Sequence, residues 1–236
     1  MSSSRQQTNL PTMDSNGHEK ALIPFRNPCN IGIFGQTQAG KSRFTRRLLE
    51  NASSMFTDSL VSMYYCYAEW QPDFEIMENT IANINFHAGL PSREEICSWT
   101  DAHHVGQKLI VLDDLLTNAM GSNDIEWLMT AGGHHRNITN IIIGQNCFPR
   151  AKNSRTISLQ FHYLVLFANK RDMSQMSTLG RQMFPKHSAS FLDAFRRATE
   201  KPYSYLLVDL FPSSDPKYQL RTCIFPDEVT IVYSIK

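Results

Sequence analysis

CNIGIFGQTQAGKSRFT, from Cys29 to Thr45, joins a short apolar run (Ile31, Ile33, Phe34) to Gly35-Gln36-Thr37-Gln38-Ala39-Gly40-Lys41-Ser42, and then to a helical pattern through Arg43, Phe44, Leu48 and Leu49. Strand, glycine-bounded loop and helix, in that order, make G-x-x-x-x-G-K-S a phosphate-binding loop rather than a chance match. The glycines let the backbone curl so that successive N–H groups point into one concavity, and the helix aims its positive end at the same place. Gly35 to Ser42 is therefore the expected nucleotide cradle. In it Lys41 would reach the β- and γ-phosphates, and the Ser42 hydroxyl would take one position on a Mg²⁺ that bridges them.

Working outward, Lys108-Leu-Ile-Val-Leu-Asp113-Asp114 is an apolar run with the look of a buried strand, and its carboxylates stand at the C-terminal end, where open parallel sheets place their ligands. Asp113 is placed to hold Mg²⁺ through its water shell, the Walker B role, and Asp114 to polarise the attacking water. Thr139-Asn-Ile-Ile-Ile-Gly-Gln145 reads as another buried strand, whose terminal Gln145 could hold both the γ-phosphate and the water; a strand simply leaving the core is the plainer alternative. About seventy residues separate Lys41 from Asp113, with an apolar run at Leu60 to Tyr67 between them. That spacing fits the ASCE branch of P-loop NTPases, which has an additional strand between Walker A and Walker B and a second carboxylate.

A competing motif is Asn169-Lys170-Arg171-Asp172, which matches the guanine-reading NKxD pattern of small GTPases. Those proteins also need Asp-x-x-Gly after the Walker B strand. Here Asp113 is followed by Asp114-Leu115-Leu116, and no glycine comes before Gly121, so ATP is the expected nucleotide. The cation for the transition state is not fixed by the sequence. Arg136, Arg155 and Arg181 all lie near expected element ends, and ring ATPases commonly take this arginine from a neighbouring subunit; Arg155 is preferred.

The chain has 236 residues and a formal charge of +1, so it suits one α/β domain and carries no overall nucleic-acid signature. The charge is uneven, however. Ten basic and three acidic residues lie between Arg150 and Lys201, a block that could face phosphates or form solvated helix surface. Five cysteines without CxxC spacing suggest neither a disulfide framework nor a zinc site. No apolar run approaches the ~20 residues that cross a bilayer, and no signal-peptide core is visible. A soluble intracellular protein without membrane contact is expected.

Residues 1–20 are polar and expected to form a flexible tail, followed by a single domain over 21–236. Ser92 and Glu95 have capping-box spacing for a helix reaching about Ala102. Asn123 to Met129 reads as a helix ending at Gly132-Gly133, with a further strand at Tyr163 to Phe167 and helices at Met173 to Phe184 and Phe191 to Thr199. Tyr203–Val208, Leu220–Phe225 and Val229–Ser234 read as short strands of an antiparallel appendage spanning 203–236. The expected class is α/β, a P-loop NTPase with a mainly parallel sheet flanked by helices and short antiparallel C-terminal strands.

Taken together, GQTQAGKS, LIVLDD, IIIGQN and RTISLQFHYLVLFANKRD resemble the viral genome-packaging ATPases of the FtsK/HerA superfamily, including the poxvirus-type enzymes and their counterparts in adintoviruses and Polinton/Maverick elements. The similarity covers about Ala21 to Pro226. It implies a homo-oligomeric ring that hydrolyses ATP between subunits, translocates double-stranded DNA into a preformed capsid and docks on capsid proteins. The place of work would be the host nucleus or cytoplasm, with virion association as an alternative. By motif position, Lys41 and Ser42 would bind phosphate and Mg²⁺, Asp113 the metal, Asp114 the water and Gln145 the γ-phosphate. Many FtsK-type relatives carry glutamate in place of Asp114, whereas poxvirus-type members tend to carry Asp-Asp. A nucleotide-gated adaptor and a kinase-like P-loop protein are the rival expectations.

Overall fold

A computed structural model describes residues 12–13, 19–20, 22–103, 105–147, 151–169 and 173–235. Within residues 1–21 only Thr12–Met13 and Glu19–Lys20 are described, and they pair antiparallel; the rest of the expected tail lies outside the described residues. So do Lys170, Arg171 and Asp172 of the NKxD-like stretch.

The frame is a nine-stranded sheet. In chain order its strands are β1 (Asn30–Phe34), β2 (Leu60–Tyr67), β3 (Ile84–Ala88), β4 (Gln107–Asp113), β5 (Ile138–Gly144), β6 (Tyr163–Phe167), β7 (Tyr205–Asp209), β8 (Leu220–Thr222) and β9 (Ile231–Val232). Their spatial order is β9-β8-β7-β6-β1-β5-β4-β2-β3. The six strands from β6 to β3 run parallel, and β7, β8 and β9 extend the same sheet antiparallel. The central strands β1, β5 and β6 are buried along their whole length, which is why they read as continuous apolar runs instead of alternating ones.

Alternation still decides which helix each side chain meets. Ile31, Ile33, Leu109, Val111, Ile141 and Ile143 face one layer, formed by α1 (Lys41–Glu50) and α2 (Pro72–Thr80). Ile110, Leu112, Ile142 and Leu164 face the other. That second layer holds α3 (Arg93–Asp101), α4 (Leu116–Gly121), α5 (Asn123–Trp127 and its continuation), α6 (Ser154–Ser158), α7 (Ser174–Met183) and α8 (Ser188–Ala198). The Ser92 capping box forms as its spacing predicts, with the Ser92 hydroxyl accepting from the Glu95 N–H and the Glu95 carboxylate accepting from the Ser92 N–H. Among the described residues no helix is long and apolar enough to cross a membrane.

One expectation is corrected. The helix opened at Asn123 does not stop at Gly132-Gly133; it passes through a π turn, Leu128–Gly132, and continues over Gly133–Arg136. The glycine pair serves close packing instead, because a Cβ on Gly133 would stand 2.8 Å from the Leu128 carbonyl and 2.9 Å from the Asn140 amide. The terminator is Asn137, whose φ of 54° is the left-handed conformation that closes a helix and that asparagine tolerates. Boundaries also move. α8 starts at Ser188, three residues before Phe191, and the strands expected over Leu220–Phe225 and Val229–Ser234 shorten to β8 and β9.

Candidate active site

The carboxyl ends of β1, β5 and β4 lie side by side, and each carries a part of the expected machinery. Phe34 pairs with Gly144 and Asp113 with Ile143, so the loop leaving β1, Gln145 after β5 and Asp113–Asp114 at the end of β4 share one edge. The strand between the loop-bearing strand and the Asp113 strand is thus β5. The run that intervenes in sequence, Leu60 to Tyr67, became β2 on the outer side of β4. Chain order cannot reveal this, because a crossover can place its next strand on either side.

The loop is pinned where it starts by the Gly35 N–H, which donates to the Gly144 carbonyl at 3.2 Å. It turns through Gln38 at φ 63° and Gly40 at φ 106°, with the Ala39 N–H donating back to the Gln36 carbonyl. At Gly40 only glycine avoids both the left-handed penalty and the Tyr203 ring, which would lie 3.2 Å from an added Cβ. Thr37 and Ser42 are exposed, and Ser42 occupies the first turn of α1. That helix has no side-chain cap and no acidic residue in its first turn, so its leading N–H donors and positive end are left for an anion. The half-buried Lys41 ammonium donates to the Gly35 and Gln36 carbonyls at 2.8 and 3.0 Å, at the mouth of the loop. Burial lowers its pKa, while the carboxylates of Asp114 and Asp113 act in the opposite direction, so the three charges lie close enough to be coupled.

Asp113 is 6% exposed. Burial pushes its carboxyl above the usual range, opposed by the Tyr65 hydroxyl, and the neighbouring Asp114 adds to the rise. Asp114 differs in every respect: exposed, one residue past the strand, and at φ 58°. The left-handed backbone turns the chain sharply before α4, and aspartate is among the few residues that accept it. A Ser hydroxyl and one buried carboxylate are hard oxygen donors, suited to Mg²⁺. Among the described residues no cluster of three or more His, Cys, Asp or Glu could hold a metal ion.

Gln145 is exposed at the tip of β5, and the loop after it is held from α7: Gln175 accepts from the Cys147 N–H at 3.1 Å and donates to Asn146 at 3.2 Å. Among the described residues, no hydrogen bond or ion pair joins Arg155 to this group. Arg155 is exposed on α6, whose neighbour Asn153 donates its N–H to the Met120 carbonyl, in the helix layer opposite α1. Arg136 stands at the amino edge of the sheet, bound to Thr100 and to Asp101 at 2.7 Å each. Arg181 is exposed on α7.

One residue that sequence reading missed is Tyr65, buried on β2, whose hydroxyl donates to Asp113 Oδ2 at 2.6 Å. Desolvation and the Asp113 charge hold the phenol protonated, so it is the donor toward that carboxylate, and it fixes one carboxylate oxygen while leaving the other to the site. The alternation of Met63, Tyr65 and Tyr67 was a visible signal, but its use needs the register that sets Tyr67 opposite Asp113. Tyr65→Phe is expected to raise the Mg²⁺ concentration for half-maximal hydrolysis about tenfold to a hundredfold. Nucleotide binding in the absence of metal should not change, and paired titrations check both.

No protein-family model matches the chain, and no curated protein matches it in sequence. Among solved structures the chain is similar to the genome packaging NTPase B204 from Sulfolobus turreted icosahedral virus 2, in complex with ATP-gammaS. Identity is 9%, the TM-score is 0.49, and the match covers 88% of this chain and 97% of that one. A likeness at that identity does not extend to side chains, so the chemistry of the site rests on the residues described above.

Proposed function

We propose that this chain hydrolyses ATP to ADP and phosphate and uses the energy to move double-stranded DNA into a viral or virus-like capsid, working inside the host cell as a homo-oligomeric ring. The observation that carries the hydrolysis reading is the meeting of Gly35–Ser42, Asp113–Asp114 and Gln145 at the carboxyl edge of three adjacent strands. In this reading the loop N–H groups and Lys41 bind the phosphates, and Asp114 takes the proton of the attacking water. Gln145 aligns that water. Mg²⁺, held by Ser42 and through water by Asp113, would neutralise charge developing on the phosphate oxygens. Tyr65 keeps Asp113 oriented.

The DNA reading is supported by the family resemblance of the motifs and by the basic block. Its described members Lys152, Arg155, Arg181, Lys186, Arg196, Arg197 and Lys201 are all exposed. Arg155, unattached to its own loop, suits donation to a neighbouring subunit's nucleotide.

The test is the ATPase rate with and without double-stranded DNA, for the native chain and for Lys41→Ala. DNA should accelerate the native protein, with the effect lost steeply as salt rises. Lys41→Ala should lower the rate about a hundredfold or more and abolish the acceleration. A native rate indifferent to DNA would sink the translocase reading and favour an adaptor or a kinase-like role.

A further inference from the structure

A cavity of about 270 Å³ opens beside the last glycine of the loop, lined by Gly40, Arg43, Tyr203, Thr222, Cys223 and Glu228 among others. Tyr203 is its most unusual wall. It is 59% exposed and sits at φ 64°, so an aromatic residue is held in a strained conformation with little burial in return. Its position is built into the loop, because its ring occupies the space that a side chain at Gly40 would fill.

Facing it is Arg43, on the exposed side of α1, with its guanidinium 5.8 Å from the Tyr203 ring centre. That is near the ~6 Å limit of a cation–π contact, and a small side-chain rotation admits a flat ring between the two. Arg43 is also the uncommitted member of its cluster. Arg46 pairs with Glu50 at 2.8 Å, and Arg47 pairs with Asp227 and Glu228 at 2.5 and 2.7 Å while lying 4.1 Å over Phe225. Among the described residues no carboxylate pairs with Arg43. A larger cavity on the outer flank of α1, about 610 Å³, is lined by the same arginines, but Glu50, Asp73 and Asp227 in its wall offset much of their charge.

We propose that the cavity beside Gly40 receives the purine base of the nucleotide, clamped between the Tyr203 ring and the Arg43 guanidinium. This rests on Gly35–Ser42 being the phosphate cradle, since Gly40 lines both. A planar cation and an aromatic face give stacking that any base could use and that a purine, with its larger ring system, uses best. The clamp therefore separates a nucleoside triphosphate from a bare polyphosphate.

Equilibrium titrations with ATP and with inorganic tripolyphosphate test it. Tyr203→Ala should weaken ATP about tenfold to a hundredfold and leave tripolyphosphate unchanged. Tyr203→Phe should restore ATP binding, and Arg43→Ala should show the same division between ligands with a smaller loss. Equal weakening of both ligands by Tyr203→Ala, or no weakening of either, overturns the clamp while leaving the cradle standing. A native chain that binds neither ligand overturns the cradle and the clamp together, and Lys41→Ala, which should weaken both, marks that difference.

Discussion

Asp114→Asn is expected to bind ATP and Mg²⁺ as the native chain does and to turn the nucleotide over about 10²- to 10⁴-fold more slowly. The asymmetry between the two carboxylates is the reason. Asp113 is buried, tied to Tyr65 and at the end of the ladder, so replacing it disturbs metal, packing and hydrogen bonding together. Asp114 is exposed, and its φ of 58° is one that asparagine accepts as readily as aspartate. The substitution keeps size and backbone and removes the negative charge, and with it the ability to take a proton. Single-turnover hydrolysis set beside equilibrium binding checks the result. A parallel loss of binding and turnover would move Asp114 to a metal-holding or structural role.

The largest effect on stability is expected at the opposite edge of the sheet. Arg221 on β8 is 1% exposed and donates to Asp209 Oδ2 at 3.0 Å and to the Tyr218 carbonyl at 2.6 Å. Asp209, 4% exposed, also accepts from the Phe211 N–H and the Ser214 hydroxyl. Removing one partner strands a buried charge, so Arg221→Met should cost about 3–5 kcal/mol and lower the melting temperature by roughly 6–20 °C for a domain of this size. Replacing both, Asp209→Leu with Arg221→Met, should recover part of that loss, because two desolvated charges return little beyond their own solvation cost, while the Phe211 N–H and the Ser214 hydroxyl lose their acceptor. Asp209 lies opposite Tyr163 at the start of β6, away from the loop, so affinity of the folded single variant for inorganic tripolyphosphate should be unchanged. Thermal melts and a binding titration below the transition separate the two effects. A single variant as stable as the native chain would mean that the pair contributes nothing to anchoring β8.

The sequence by itself determined the local pieces: the strand, loop and helix from Cys29 to Thr45, the apolar strand ending in Asp113–Asp114, the strand ending before Gln145 and the Ser92 cap. Each is written in near neighbours, through hydrophobic runs, glycine positions and a hydroxyl three residues from a carboxylate. The stop assigned to Gly132-Gly133 was misread because glycine marks both helix ends and close contacts, and only the approach of Asn140 and the Leu128 carbonyl shows which applies. The tertiary structure alone decided that β5 lies between the loop and Asp113, that Tyr65 reaches Asp113 from β2, that Gln175 holds the loop after β5 and that Tyr203 packs on Gly40. These contacts join residues 28 to 163 positions apart, or depend on strand order and register, which crossovers leave free until the two helix layers pack on the sheet.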